Sequence, residues 1–160
     1  EVSVMKGNPK VLEHLQRLLN NELMARDQYM AHANQFKDWG LDKLHERLHH
    51  EMEEETEHAE AIMERMLFLE AEPDMNGQEK ANVGTDVASM FRNDLQVEYD
   101  VDKALKEAIA VCEEEQDYIT RKVLTKLLDD TEMDHAYWLE QQLRLIDMVG
   151  VENYIQKQMA

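Results

Sequence analysis

Apolar residues recur along this chain with the spacing of one helical face. Leu12, Leu15, Leu19 and Leu23, then Tyr29, Ala33 and Phe36, fall three or four apart. Asn8-Pro9 opens that run as a helix start: a capping side chain, then a proline where no amide hydrogen bond is lost. Gly40 closes it. The spacing predicts a first helix over 9–39 and a second over 41–72, carrying Leu44, Leu48, Met52, Ile62, Met66 and Leu69 and stopped by Pro73. The stretch 73–85 holds Pro73, Asn76, Gly77, Asn82 and Gly84 and is the one long loop. A third helix is predicted over 86–115, with Val87, Met90, Val101, Leu105, Ala108 and Cys112. A fourth spans 117–149, with Leu124, Leu128, Leu139, Leu143 and Ile146, and a short fifth spans 152–159.

Connection lengths turn these segments into a topology. Tight links make helices one and two, and helices three and four, antiparallel neighbours. The long middle loop can cross the length of the molecule. The expected fold is all-α: one domain over 1–160, a four-helix bundle of two hairpins joined by a crossover.

Some polar positions break the apolar stripes. Glu22 lies between Leu18 and Tyr29, and Glu98 between Met90 and Val101. Glu55 and His58 fall between Leu48 and Ile62; Glu132 and His135 fall between Leu128 and Leu139. A lone buried carboxylate costs several kcal/mol or becomes neutral, so something must compensate. Glu-x-x-His occurs twice, and residues three apart share a helix face. All six positions lie near mid-helix, so antiparallel packing would bring them to one level. Four carboxylates and two imidazoles there can hold two iron ions, a ligand set described in general for di-iron carboxylate bundles.

Charge narrows the partners. Lys and Arg number 17 against 35 Asp and Glu, a formal charge of -18. Nucleic acid and anionic membrane surfaces call for basic patches, so neither is an expected partner. No segment has the long uncharged run of a membrane span. Residues 1–4 lack the basic start and apolar core of a signal peptide. Cys112, the single cysteine, sits on an apolar face and reads as core in a reducing, cytoplasmic setting.

At these residues the chain resembles bacterioferritin. The likeness runs from Met5 to Met159 and includes Asn21-Glu22-Leu23, Asp27-Gln28-Tyr29, Trp39-Gly40, Leu67-Phe68-Leu69-Glu70, Trp138-Leu139-Glu140 and Asn153-Tyr154. The resemblance implies a ferritin-like fold and a 24-subunit shell that takes up Fe(II), oxidises it with O2 or H2O2 and stores ferric mineral. It implies di-iron ligands Glu22, Glu55, His58, Glu98, Glu132 and His135, with Glu55 and Glu132 as bridges. A second iron site at His50 and Glu54 is implied on the cavity surface, with Asn153 and Gln156 lining a four-fold channel and a ferredoxin as candidate reductant.

Two features depart from the family pattern. Thr56 stands where bacterioferritins carry the Met that ligates haem, and hydroxyl is a poor substitute for thioether. The resemblance therefore implies a subunit that lacks haem b as a homomer, with haem b left open for a shell shared with a haem-binding subunit. Met52, one turn earlier, is read as packing rather than as a replacement ligand. The run Leu128-Asp129-Asp130-Thr131-Glu132 is one residue longer than the family norm, which predicts a bulge or shifted turn beside Glu132.

Tyr29 and Trp138 are candidate electron sources or simply packed aromatics. His14, His32, His45 and His49 are expected on the surface or in the core. Rival readings are a discrete rubrerythrin-like oxidase, which would ordinarily carry a cysteine site for electron transfer, a structural co-subunit, and a DNA-protecting mini-ferritin, which the acidity opposes.

Overall fold

The structure is a computed structural model and describes residues 5–160; the segment 1–4, judged above for a signal peptide, lies outside the described residues. Every regular element in it is helical. Helix α1 spans Pro9–Asp38, α2 Asp42–Phe68, α3 Val87–Glu114, α4 Tyr118–Asp129, α5 Tyr137–Val149 and α6 Val151–Gln156. Between α4 and α5 the chain continues without a break as a π-helix, Asp130–Ala136, so α4, π-helix and α5 make one bent rod.

Local chemistry sets the helix ends. The Asn8 side chain accepts from the Lys10 amide at 2.8 Å, with Pro9 at the first helical position. Asp86 and Ser89 form a reciprocal capping box at α3. Asp117 caps α4 through the Thr120 amide at 3.1 Å. The second helix ends at Phe68, four residues short of the expected boundary. Glu70 there adopts a left-handed φ of 63°, so the backbone turns before Pro73 is reached.

Cross-links between helices fix their directions. Arg17–Glu107 and Gln28–Asp94 pair rising numbers on α1 with falling numbers on α3, and Glu22–His58 and Ala33–His45 do so for α1 and α2. Arg65–Asp117, His58–Asp130 and Arg47–Asp134 do the same for α2 and the fourth rod. Both α2 and α3 thus run opposite to α1, and the crossover must travel the whole bundle. It does so along α1. Asp74 bonds Gln16, Gln78 bonds Asp27, the Asn82 amide bonds Gln28 and the Gly84 amide bonds His32 Nε2 at 3.0 Å. Gly84 is required by a close approach, since a Cβ there would lie 2.5 Å from the Met90 backbone nitrogen.

The core is continuous from Val11 and Leu15 through Phe36, Leu48, Ile62, Met90 and Leu105 to Leu124. At one end Phe91 packs on Phe36, Trp138 and Tyr154, with ring centroids 5.6 to 6.1 Å apart. Tyr154 carries α6 into this cluster and donates to Gln142 at 2.6 Å. Cys112 is buried, and burial pushes its thiol up to about 11, as a core residue requires. Among the described residues, no helix is long and apolar enough to cross a membrane.

Candidate metal centre

Midway along the bundle each rod contributes a polar side chain to a dry interior. Glu22 comes from α1, Glu55 and His58 from α2, Glu98 from α3 and His135 from the π-helix; all five are buried. Glu55 and His58 share a face because α2 is a regular helix there. The carboxylate of Glu55 sits between the two imidazoles. Its Oε1 is 3.0 Å from His135 Nδ1 and its Oε2 is 3.7 Å from His58 Nδ1. Glu22 Oε2 lies 3.0 Å from His58 Nδ1, and Glu98 Oε1 lies 3.4 Å from His135 Nδ1. The two rings stack with centroids 5.7 Å apart.

The result is two donor trios sharing Glu55: Glu22, Glu55 and His58, and Glu55, Glu98 and His135, each with its atoms within 4.8 Å of one another. Glu22 Oε1, Glu55 Oε2 and His135 Nδ1 are buried with no hydrogen-bond partner. Unsatisfied acceptors in a protein interior are costly. Their convergence on two neighbouring points fits two hard cations taking oxygen and imidazole ligands.

Electrostatics agree with a site built for cations. Burial, reinforced by the Glu55 charge, raises Glu22 from the ordinary 4.5 to about 8. Burial also raises Glu98. For His58 burial opposes the charged ring, but the hydrogen bond to Glu22 and the neighbouring carboxylates of Glu22 and Glu55 outweigh it and push the imidazole up to about 11. His135 is likewise raised well above its ordinary value: burial opposes the charge, and Glu98, Glu51, Glu54 and Glu55 overcome it. Without metal, protons do the neutralising, and metals must displace them.

A second layer holds the ligands. Tyr29 donates to Glu98 at 2.5 Å, and burial followed by the Glu98 charge raises its phenol well above normal. Asp130 Oδ2 lies 3.0 Å from His58 Nε2, Glu51 Oε2 lies 2.8 Å from His135 Nε2, and Glu54 also bonds His135. Such carboxylates orient imidazoles so that the other nitrogen faces the metal.

The structure does not bring Glu132 to this centre. Its half-exposed carboxylate lies 3.1 Å from Lys106 Nζ, which also holds Asp102 at 2.9 Å. The reason is that the fourth rod runs as a π-helix over Asp130–Ala136. In a π-helix hydrogen bonds run from i to i+5, so residues three apart no longer share a face. Thr131, four before His135, takes the inward direction: it is buried and donates to Leu127 O at 2.8 Å. The shifted turn was expected from the sequence; the exclusion of Glu132 was not.

His50 and Glu54 are in contact at 2.7 Å, with His50 exposed. Beside them Glu51, Glu54, Asp134 and His135 gather, with Arg47 bridging Glu51 and Asp134 at 2.7 and 2.8 Å. Thr56 is half-buried and donates to the Met52 carbonyl, while Met52 packs against the core. Trp138 lies under the Arg47 guanidinium, 4.6 Å from its centroid, and against Phe91.

Sequence reasoning assigned no individual site role to Glu51, Asp130, Gln28 or Asp94, and read His32 only as a surface or core histidine. Glu51 carried a signal, being four before Glu55 and seven before His58 on one face. His32 is fully buried, with Nδ1 2.9 Å from Asp94 and Nε2 accepting from Gly84. Nothing local marked it, because its partners come from α3 and the crossover.

Comparison with known proteins finds relatives along nearly the whole chain. A ferritin-like domain matches residues 12–149. The "Bacterial ferritin" of Synechocystis sp. is 54% identical over 156 residues, covering 98% of this chain and 100% of that protein. The "Bacterial ferritin" of Neisseria meningitidis serogroup B is 52% identical, over 97% of this chain and 100% of its own length. The "Bacterioferritin" of Mycobacterium avium is 37% identical, over 94% of both.

Proposed function

The chain belongs to the ferritin-like family, and on that premise we propose that it stores iron by oxidising Fe(II) at a pair site within each subunit. One observation carries the reading: Glu55 divides its two oxygens between His58 and His135, with Glu22 and Glu98 closing the outer sides. Glu22, Glu55 and His58 would hold one Fe(II); Glu55, Glu98 and His135 would hold the other.

The substrate iron supplies the electrons: two Fe(II) give one each to O2, which takes two protons and leaves as H2O2. Peroxide in place of O2 would accept the same two electrons together with two protons and leave as two water molecules. This chain's residues do the rest. The carboxylates favour the ferric state. Binding iron strips protons from His58, His135 and Glu22. Asp130, Glu51 and Glu54 aim the imidazoles, and Tyr29 steadies Glu98 through its hydroxyl. The apolar layers above and below keep water away.

The product requires a container. The family resemblance supports a closed shell of 24 such subunits, alone or with a haem-binding partner subunit, in the cytoplasm. Leu67, Phe68 and Met148, large apolar side chains exposed on the isolated chain, suit burial between subunits. With Thr56 in the haem-ligand position, the homomeric shell would carry no haem b.

Purified protein mixed anaerobically with Fe(II) and then exposed to O2 should develop ferric absorbance rapidly and elute as a large shell. A His135→Ala variant should oxidise iron more than about tenfold more slowly. Equal rates, or elution as a small oligomer, would defeat the reading. A Soret band should be absent from the homomer and should appear in Thr56→Met.

A further inference from the structure

The π-helix Asp130–Ala136 changes more than the direction of one side chain. Resting on the di-iron reading above, we propose that Glu132 is not a metal ligand in this chain, and that the two cation positions share a single bridging carboxylate, Glu55, and fill in sequence.

Three observations carry this. Thr131 occupies the inward direction from the fourth rod and is closed off there, its hydroxyl committed to the Leu127 carbonyl. Glu132 is held on the outer surface by Lys106, which is itself fixed to Asp102. Bringing Glu132 inward requires turning the rod by a residue, expelling a buried threonine and breaking the ion pair with Lys106. The nearest carboxylate of the rod that faces the interior is Asp130, and it reaches the site through the far nitrogen of His58, not at the shared metal edge.

The consequence is electrostatic. Glu22, Glu55 and Glu98 offer three negative charges directly to the metals. One divalent cation leaves a net charge of minus one at the ligands, and a second leaves plus one. Charge of that sign in a dry interior is unfavourable. The outer carboxylates Asp130, Glu51 and Glu54 soften it only at one remove, with Arg47 opposing them. The first cation is therefore bound firmly, and the second more weakly than a fourth direct carboxylate would allow.

Co(II) titration of the assembled full chain tests this, followed by visible d–d absorption and calorimetry. A His50→Ala background removes the exposed His50–Glu54 pair from the count. Two steps per subunit are expected, the second weaker by at least about tenfold. Glu132→Ala should leave both steps within about twofold. Deleting Thr131, which restores the regular helix phase, should strengthen the second step toward the first. Two equal steps that weaken together in Glu132→Ala would overturn the proposal, as would a Thr131 deletion that folds and leaves the second step unchanged. If Co(II) does not bind even with Glu55 intact, the di-iron reading itself fails, and a Glu55→Ala control separates that outcome from a misassigned Glu132.

Discussion

Two segments of this protein are written alike and sit differently. Glu55-Thr56-Glu57-His58 lies in a regular α-helix and delivers both its Glu and its His to the interior. Glu132-Met133-Asp134-His135 lies in a π-helix and delivers only the His. A spacing of three specifies a shared face only while the helical period holds. The π-helix changes the period for seven positions, and the acidic residue that opens the motif turns away from the site. The second segment then acquires other neighbours: Asp130 meets His58, and Asp134 meets Arg47 beside Glu51.

The comparison is broken most directly at its regular member. Glu55→Ala removes the oxygens that stand between both imidazoles, and Fe(II) oxidation measured by ferric absorbance should fall by about 100-fold or more, beyond the loss of an outer-layer partner. A rate close to that of Glu132→Ala would erase the distinction between the two motifs.

Asp130→Asn sharpens it at the irregular member. The amide keeps the shape but weakens the hold on His58 Nε2. Co(II) or Fe(II) affinity should drop by about tenfold, with the Co(II) band positions altered. If affinity and spectrum were untouched, Asp130 would be a surface residue that happens to lie near the ring.

The smallest effect is on stability without metal. Glu22 is raised from 4.5 to about 8 in the folded chain by burial and by Glu55. A group raised on folding gives its full stabilisation below its unfolded value and loses it as pH climbs through the folded one. His58, raised from 6.5 to about 11, acts in the same direction over a higher range. The melting temperature of metal-free protein should therefore fall by a few degrees between about pH 5 and 9, and Glu22→Gln should flatten the part below about pH 8. A melting temperature that rises over that range would mean that the interior is not held by protons.

Much of the candidate site could be read from the chain because each of Glu22, Glu55, His58 and Glu98 interrupts an apolar stripe on a helix of ordinary period. Glu132 interrupts a stripe too, and the same logic failed there. Lys106, Asp102 and Thr131 decide its position, and two of those three come from another helix. The second layer was harder to see for a similar reason. Glu51 and Tyr29 share faces with candidate ligands, whereas the roles of Asp130, His32 and Asp94 depend on partners 62 to 72 residues away.

By itself the sequence determined the helices, their capping, the crossover and the acidic character of the interior, because these follow from short-range periodicity and from the cost of burying charge. The family resemblance added the expectation of a bulge or shifted turn before His135. Only the tertiary structure decided what form that turn takes. A rod packed along its length against α2 and α3 cannot rotate as a whole without losing its core contacts. It widens locally instead, keeps Leu124 and Leu139 inside, and turns Glu132 out to Lys106.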